Sequence, residues 1–295
     1  MKQLFEGTGV ALITPFDGGN IDYKATKILI EREIELGAKA LVILATTGEG
    51  STVTDKEREK FIRYCIKINA GRAKIIVGTG NNNFEKCYYL TKEAKRLGVD
   101  GALIVTPYYN KTTQKGLVEF YQKLAEIKLP IIMYNVPSRT GLNMELDTIE
   151  KIINSNDYIY GIKESTTDIT RIKNLCYLCR EKIAVYSGED GLNYIFYCLG
   201  GKGAISVTAN AYPDKVEEIY RLTKRGQYED ALRGQEELDL VNEALFYETN
   251  PIPVKYYLSL MGLCSPVTRM PLTSLTEKNE KRIKSVFKAF SAKED

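Results

Sequence analysis

Short apolar runs rich in β-branched residues recur along this chain, and stretches whose apolar positions return every three or four residues separate them. The runs fall at 10–13, 40–45, 75–77, 102–105, 131–134, 158–162, 183–186 and 204–207. Between them, sets such as Phe61, Tyr64, Cys65, Ile68 and Leu117, Phe120, Tyr121, Leu124 give one apolar stripe at helical period. Thr54 followed by Glu57 reads as a capping box, and Pro213 suits a first helical turn. Eight β/α units in series predict an α/β chain closed into a TIM (β/α)8 barrel. A doubly wound sheet would need a switch point and a phosphate-cradling glycine loop. Gly78-Thr79-Gly80 and Gly200-Gly201-Lys202-Gly203 lack the helix such a loop opens, and read as turns. Beyond about Arg225 the alternation stops, and helical patterns cover 227–244, 253–261 and 277–290. The expected division is a catalytic barrel over 1–225 and a C-terminal helical region over 226–295.

Composition then removes several functions. Lys plus Arg number 41 against 38 Asp plus Glu, a balance that gives a nucleic acid no reason to bind; the basic side chains of the last helix, Lys281, Arg282, Lys284 and Lys288, read as a solvated face. No apolar run reaches membrane-spanning length, so a cytoplasmic protein with no membrane partner is expected. The six cysteines are scattered, and Cys176 and Cys179 share an apolar helical face with Ile169 and Ile172, which predicts packing rather than redox or metal chemistry. Histidine is absent, which excludes His-dependent triads and leaves acid–base work to Tyr, Lys, Glu, Asp or Cys.

In such a barrel the chemistry gathers where strands end and βα-loops begin. That edge holds Thr14, Thr46-Thr47, Thr79, Thr106, Tyr134-Asn135, Lys163-Glu164, Ser187 and Ser206. It carries hydroxyls and one lysine but no carboxylate cluster for a metal, so neither a metal nor an organic cofactor is expected. A lysine walled by Ile162 and the barrel strands suits a Schiff-base nucleophile, because desolvation favours the neutral amine. Tyr134, ending the preceding strand, is the candidate to move the proton. Taken singly, each of these residues reads first as a cap, a core tyrosine or a surface cation.

Six motifs together narrow the choice. They are Thr46-Thr47-Gly48-Glu49, Thr106-Pro107-Tyr108-Tyr109-Asn110, Tyr134-Asn135-Val136-Pro137-Ser138-Arg139-Thr140-Gly141, Gly161-Ile162-Lys163-Glu164, Ser187-Gly188-Glu189-Asp190 and Asn250-Pro251-Ile252-Pro253-Val254-Lys255. In order and spacing they resemble the dihydrodipicolinate synthase family, the pyruvate-dependent Schiff-base synthases of bacterial lysine biosynthesis, over nearly the whole chain. The resemblance implies condensation of pyruvate with L-aspartate 4-semialdehyde through a covalent pyruvate imine on Lys163, with no separate cofactor. It implies that Tyr134 is the acid–base tyrosine and that Thr46 and Tyr109 complete a hydroxyl relay. By the same resemblance Thr47 holds the pyruvate carboxylate, the Ile205 carbonyl lines the site, and Arg139 receives the carboxylate of the aldehyde. Tyr109 would reach into a neighbouring subunit, which implies a homotetramer built from dimers.

Two other readings stay open at this point. Sugar-directed members of the superfamily, N-acetylneuraminate lyase and the 2-keto-3-deoxy sugar-acid aldolases, form the same imine; Arg139 argues for a short carboxylated aldehyde instead. A keto-acid-binding protein without catalysis is the reading from another class. One departure bears on regulation: Gly50, Ser51, Asp55, Arg58 and Lys86 stand where lysine-regulated relatives carry a Ser-Ala pair, histidines and a glutamate, while Asn82 and Tyr108 remain. Two cations there would repel a lysine ammonium, so weak or absent lysine inhibition is expected.

Overall fold

A computed structural model describes residues 1–292. Eight parallel strands close a barrel: β1 Gly7–Ala11, β2 Ala40–Ile43, β3 Lys74–Gly78, β4 Gly101–Val105, β5 Ile131–Asn135, β6 Ile159–Glu164, β7 Ala184–Ser187 and β8 Gly203–Ser206. Each strand pairs with its neighbours in sequence, and β8 returns to β1 with Gly9 opposite Ile205. The outer helices are α1 Tyr23–Glu35, α2 Asp55–Asn69, α3 Phe84–Leu97, α4 Gln114–Ala125, α5 Leu146–Ser155, α6 Ile169–Cys179, α7 Asn193–Cys198 and α8 Pro213–Lys224. The capping box at Thr54 forms as read, with Glu57 reaching back to the cap, and Pro213 opens α8.

Period-two alternation splits every strand between two layers. Val42, Ile76, Leu103, Ile132 and Tyr134 point into the barrel, where Phe5 stacks on Tyr186 with ring centroids 4.4 Å apart. Ile43, Val77, Ile104, Met133 and Ile162 point outward against the helices. Ile162 therefore belongs to the outer layer, and does not wall Lys163 as the sequence suggested.

The first and last strands begin earlier than their apolar runs. β1 starts at Gly7 and not at Val10, because glycine here is a packing residue: a Cβ on Gly9 would lie 2.7 Å from the Phe5 ring. Between β1 and α1 a two-stranded hairpin, Phe16–Asp17 with Asn20–Ile21, turns on Gly18 and Gly19 at positive φ. On α6 the buried stripe is Ile172, Leu175, Cys176 and Cys179; Ile169, the helix's first residue, stands outside it, exposed. Burial pushes the thiols of Cys176 and Cys179 up to about 12, as structural cysteines require.

After α8 come α9 Tyr228–Ala244, α10 Ile252–Leu260 and α11 Glu277–Ser291. Helix α9 lies along α8, while Tyr257 of α10 meets Phe287 of α11 at 5.4 Å. Lys281, Arg282, Lys284 and Lys288 are all exposed. Among the described residues no helix is long and apolar enough to cross a membrane.

Candidate active site

The register between β5 and β6 builds the centre of the site. Tyr134 is opposite Lys163 and Asn135 opposite Glu164. One step of alternation then sends each pair to a different side. Inside, the Lys163 amine lies 4.6 Å from the centroid of the Tyr134 ring, and both side chains are buried, 5% and 7% exposed. Outside, Asn135 Nδ2 donates to Glu164 Oε1 at 2.9 Å, and Arg171 of α6 donates to Glu164 Oε2 at 2.8 Å. Asn135 Oδ1 in turn accepts from the Met144 amide at 3.0 Å. Burial raises the Glu164 carboxyl, and Arg171 and Asn135 draw it back towards ionisation. Lys163 is thus separated from the carboxylate next to it in sequence, while a buried polar network fixes the strand ends behind it.

The loop after β7 presses on the same lysine. A Cβ on Gly188 would fall 2.8 Å from Lys163 Cε and 2.2 Å from Ser165 Oγ. Gly188→Ala is therefore expected to displace the amine and lower kcat by about tenfold or more, a misplacement effect of the kind that positioning imposes; steady-state kinetics on the folded variant check it. Beside it, the Glu189 carboxyl is raised by burial and by Asp190, and drawn back by the Gly191 amide and the charge of Lys163. Asp190 Oδ2 accepts from the amides of Val207 at 2.8 Å and Thr208 at 3.0 Å, which holds the chain just beyond Ile205 and Ser206.

A cavity of about 340 Å³ opens at this edge, and its wall includes Thr46, Tyr134, Arg139, Tyr108 and Asn250. Lys163 is not on that wall itself; the Tyr134 ring that it faces is. Arg139 sits on a single helical turn, Pro137–Thr140, started by its proline and tied by the Thr140 hydroxyl donating to the Val136 carbonyl at 3.2 Å. Its guanidinium is exposed and donates to the Asn250 carbonyl at 3.4 Å. Thr46 is exposed to the cavity, whereas Thr47 is buried and accepts from Asn250 Nδ2 at 2.9 Å.

The structure thus gathers Lys163, Tyr134, Thr46 and Arg139, with Thr47 behind the wall and Ile205 in the same barrel-interior layer as Tyr134. Tyr109 is not brought to them. It is 92% exposed at φ 67, a left-handed conformation rare for a tyrosine. Sequence reasoning gave no role to Asn250, Gly188 or Arg171, although Asn250 and Gly188 both lie in the quoted motifs. Among the described residues no group of three or more His, Cys, Asp or Glu is arranged to hold a metal ion.

Arg58 also lines the cavity; it is buried and donates to the Gly78 carbonyl, and burial lowers its pKa to about 10. Lys86 pairs with Asp55 at 2.6 Å.

Comparison with known proteins adds the lineage. Residues 4–290 match the model of the dihydrodipicolinate synthetase family. The 4-hydroxy-tetrahydrodipicolinate synthase of Aquifex aeolicus is 42% identical over 289 residues, which is 98% of each chain. That of Caldicellulosiruptor bescii is 43% identical over 96% of each. The crystal structure of the dihydrodipicolinate synthase from Thermotoga maritima superposes with a TM-score of 0.96 at 39% identity, covering 98% of this chain and 99% of that one.

Proposed function

The chain belongs to the dihydrodipicolinate synthetase family, and from that premise we propose that it condenses pyruvate with L-aspartate 4-semialdehyde to give 4-hydroxy-tetrahydrodipicolinate. The observation that carries the reading is the buried Lys163 amine set against the Tyr134 ring at the strand edge. Lys163 attacks the pyruvate ketone, and loss of water leaves the imine. The imine withdraws electrons, so the methyl group gives up a proton and an enamine forms. Enamine attack on the aldehyde makes the new carbon–carbon bond. The amine of the bound product then adds to the imine carbon and expels Lys163, which closes the ring and regenerates the enzyme.

In this scheme Tyr134 and Thr46 carry protons, Thr47 and the Ile205 carbonyl hold pyruvate, and Arg139, exposed on the cavity wall, takes the second substrate's carboxylate as a planar fork. No cofactor beyond the covalent pyruvate is needed. Tyr109, exposed and not on the wall of its own cavity, supports its role in a neighbouring subunit's relay and hence a homotetramer of dimers. The test joins two measurements. Borohydride with pyruvate should leave one reduced pyruvyl group on the peptide carrying Lys163, and a coupled assay should show turnover with aspartate semialdehyde. A protein that binds keto acids without imine chemistry gains no mass, and a sugar-acid aldolase turns over a sugar-derived keto acid in preference.

Lysine inhibition is expected to be weak or absent. Lys86 is paired with Asp55, but the buried Arg58 keeps a guanidinium on the cavity wall, where it would repel a lysine ammonium. Initial rates with and without physiological L-lysine check this, and potent inhibition would contradict it.

A further inference from the structure

The loop that follows β2 carries Thr46 and Thr47, and its backbone is not one that the sequence adopts freely. Leu44 and Glu49 both take left-handed φ, 53° and 50°, without being glycine. Such conformations persist where the surroundings over-determine them. Part of that determination is local: the Glu49 amide donates to the Thr46 carbonyl at 3.1 Å, and Gly50 has no room for a Cβ, which would meet the Leu44 carbonyl oxygen at 2.0 Å. The rest arrives from the C-terminal region. The buried Glu49 carboxylate forms an ion pair with Lys255 of α10 and accepts from the Arg269 amide at 2.9 Å.

Lys255 is wholly buried. Its ammonium donates to the Val267 carbonyl at 2.9 Å and stands 4.1 Å from the centroid of the Phe16 ring. Asn250, just before the same helix, makes the bond to Thr47 described above. A buried ion pair recovers little beyond its desolvation cost, and apolar residues of like volume commonly serve stability as well or better. What an apolar pair would not do is pull a carboxylate, and the turn attached to it, to one place.

We propose that Lys255 and Glu49 are positioning residues: their buried ion pair, made by the C-terminal region, sets the 46–49 turn so that Thr47 and Thr46 meet pyruvate. The C-terminal helices are then part of the pyruvate site and not a cover for the barrel. Burial lowers the Lys255 pKa, with Glu49 opposing.

This inference rests on the imine chemistry proposed above, and the experiment separates the two. The full-length protein, the double variant Glu49→Gln/Lys255→Met and the single Glu49→Gln are compared by pyruvate concentration dependence of borohydride capture and by amide hydrogen exchange over the 44–51 segment. The double variant leaves no unpaired buried charge, and Glu49→Gln keeps the acceptor for Arg269. The expected result is a pyruvate half-saturation raised about tenfold or more, as misplacement of a binding group produces. Faster exchange in the segment accompanies it, at a temperature where both variants are folded. Parental half-saturation and parental exchange in either folded variant overturn the proposal and leave the pair a feature of stability alone. If the parent captures no pyruvate, the imine reading fails, and exchange over 44–51 still decides whether the pair fixes the turn.

Discussion

Lys163→Ala is expected to abolish borohydride-dependent capture of pyruvate and to lower kcat by on the order of 10⁴ or more, because no other group in a covalent mechanism replaces its nucleophile. The fold should survive. Glu164, the adjacent carboxylate, is held by Arg171 and Asn135 on the other side of the strand, so removing the amine breaks no partner of that network. The ring contact with Tyr134 is lost, which costs no more than about 0.5–2 kcal/mol at a site of this kind. Thermal unfolding should therefore shift by only a few degrees while activity disappears. Lys163→Arg sharpens the result: it keeps the positive charge and much of the length, but a guanidinium always protonated forms no imine. Capture of pyruvate by either variant would place the nucleophile elsewhere.

The residues at the centre of the site were legible because strand chemistry is local. Tyr134 and Lys163 each end an apolar run, and a period of two with the order of the strands suffices to make them neighbours facing the same way. Direction was harder. Ile162 precedes Lys163 and is as apolar as an interior residue should be, yet both layers of a barrel are apolar, so hydrophobicity alone does not say which layer it joins. The early start of β1 had the opposite cause: Gly7 and Gly9 look like breakers, and their role, room for the Glu217 carboxylate at Gly7 and for the Phe5 ring at Gly9, exists only once the barrel has closed. The hairpin at Phe16–Ile21 carried its signal, Asp17-Gly18-Gly19-Asn20, in too few residues to show alternation. Arg171 and Asn250 were out of reach for another reason: Arg171 meets Glu164 only once α6 has folded back beside the end of β6, Asn250 meets Thr47 203 residues away, and neither polar contact leaves a periodicity in the chain. Composition did carry one point well. With histidine absent, Tyr, Lys, Glu, Asp and Cys were left as the residues able to do the chemistry, and the register brings together a lysine and a tyrosine of that set.

Tyr134→Phe isolates the second half of that chemistry. Phenylalanine keeps the ring, its burial and its face towards the Lys163 amine, so packing and the cation–ring contact stay as they are. Only the hydroxyl goes. Since the phenol is proposed to carry protons during imine formation and enamine generation, kcat should fall by roughly 10²–10⁴, the usual contribution of one general acid–base group. Lys163 remains, so pyruvate should still be captured to full stoichiometry, only more slowly, in contrast to Lys163→Ala. Thr46 extends the test, because it lies on the same cavity wall as Tyr134. If the two hydroxyls form one relay, Tyr134→Phe/Thr46→Val should cost far less than the two single losses multiplied together, since a relay already broken at one point has little left to lose at another. Fully multiplicative losses would mean that Thr46 binds substrate independently of proton transfer. A Tyr134→Phe variant with parental kcat would remove the phenol from the mechanism and leave the proton to another hydroxyl at this edge.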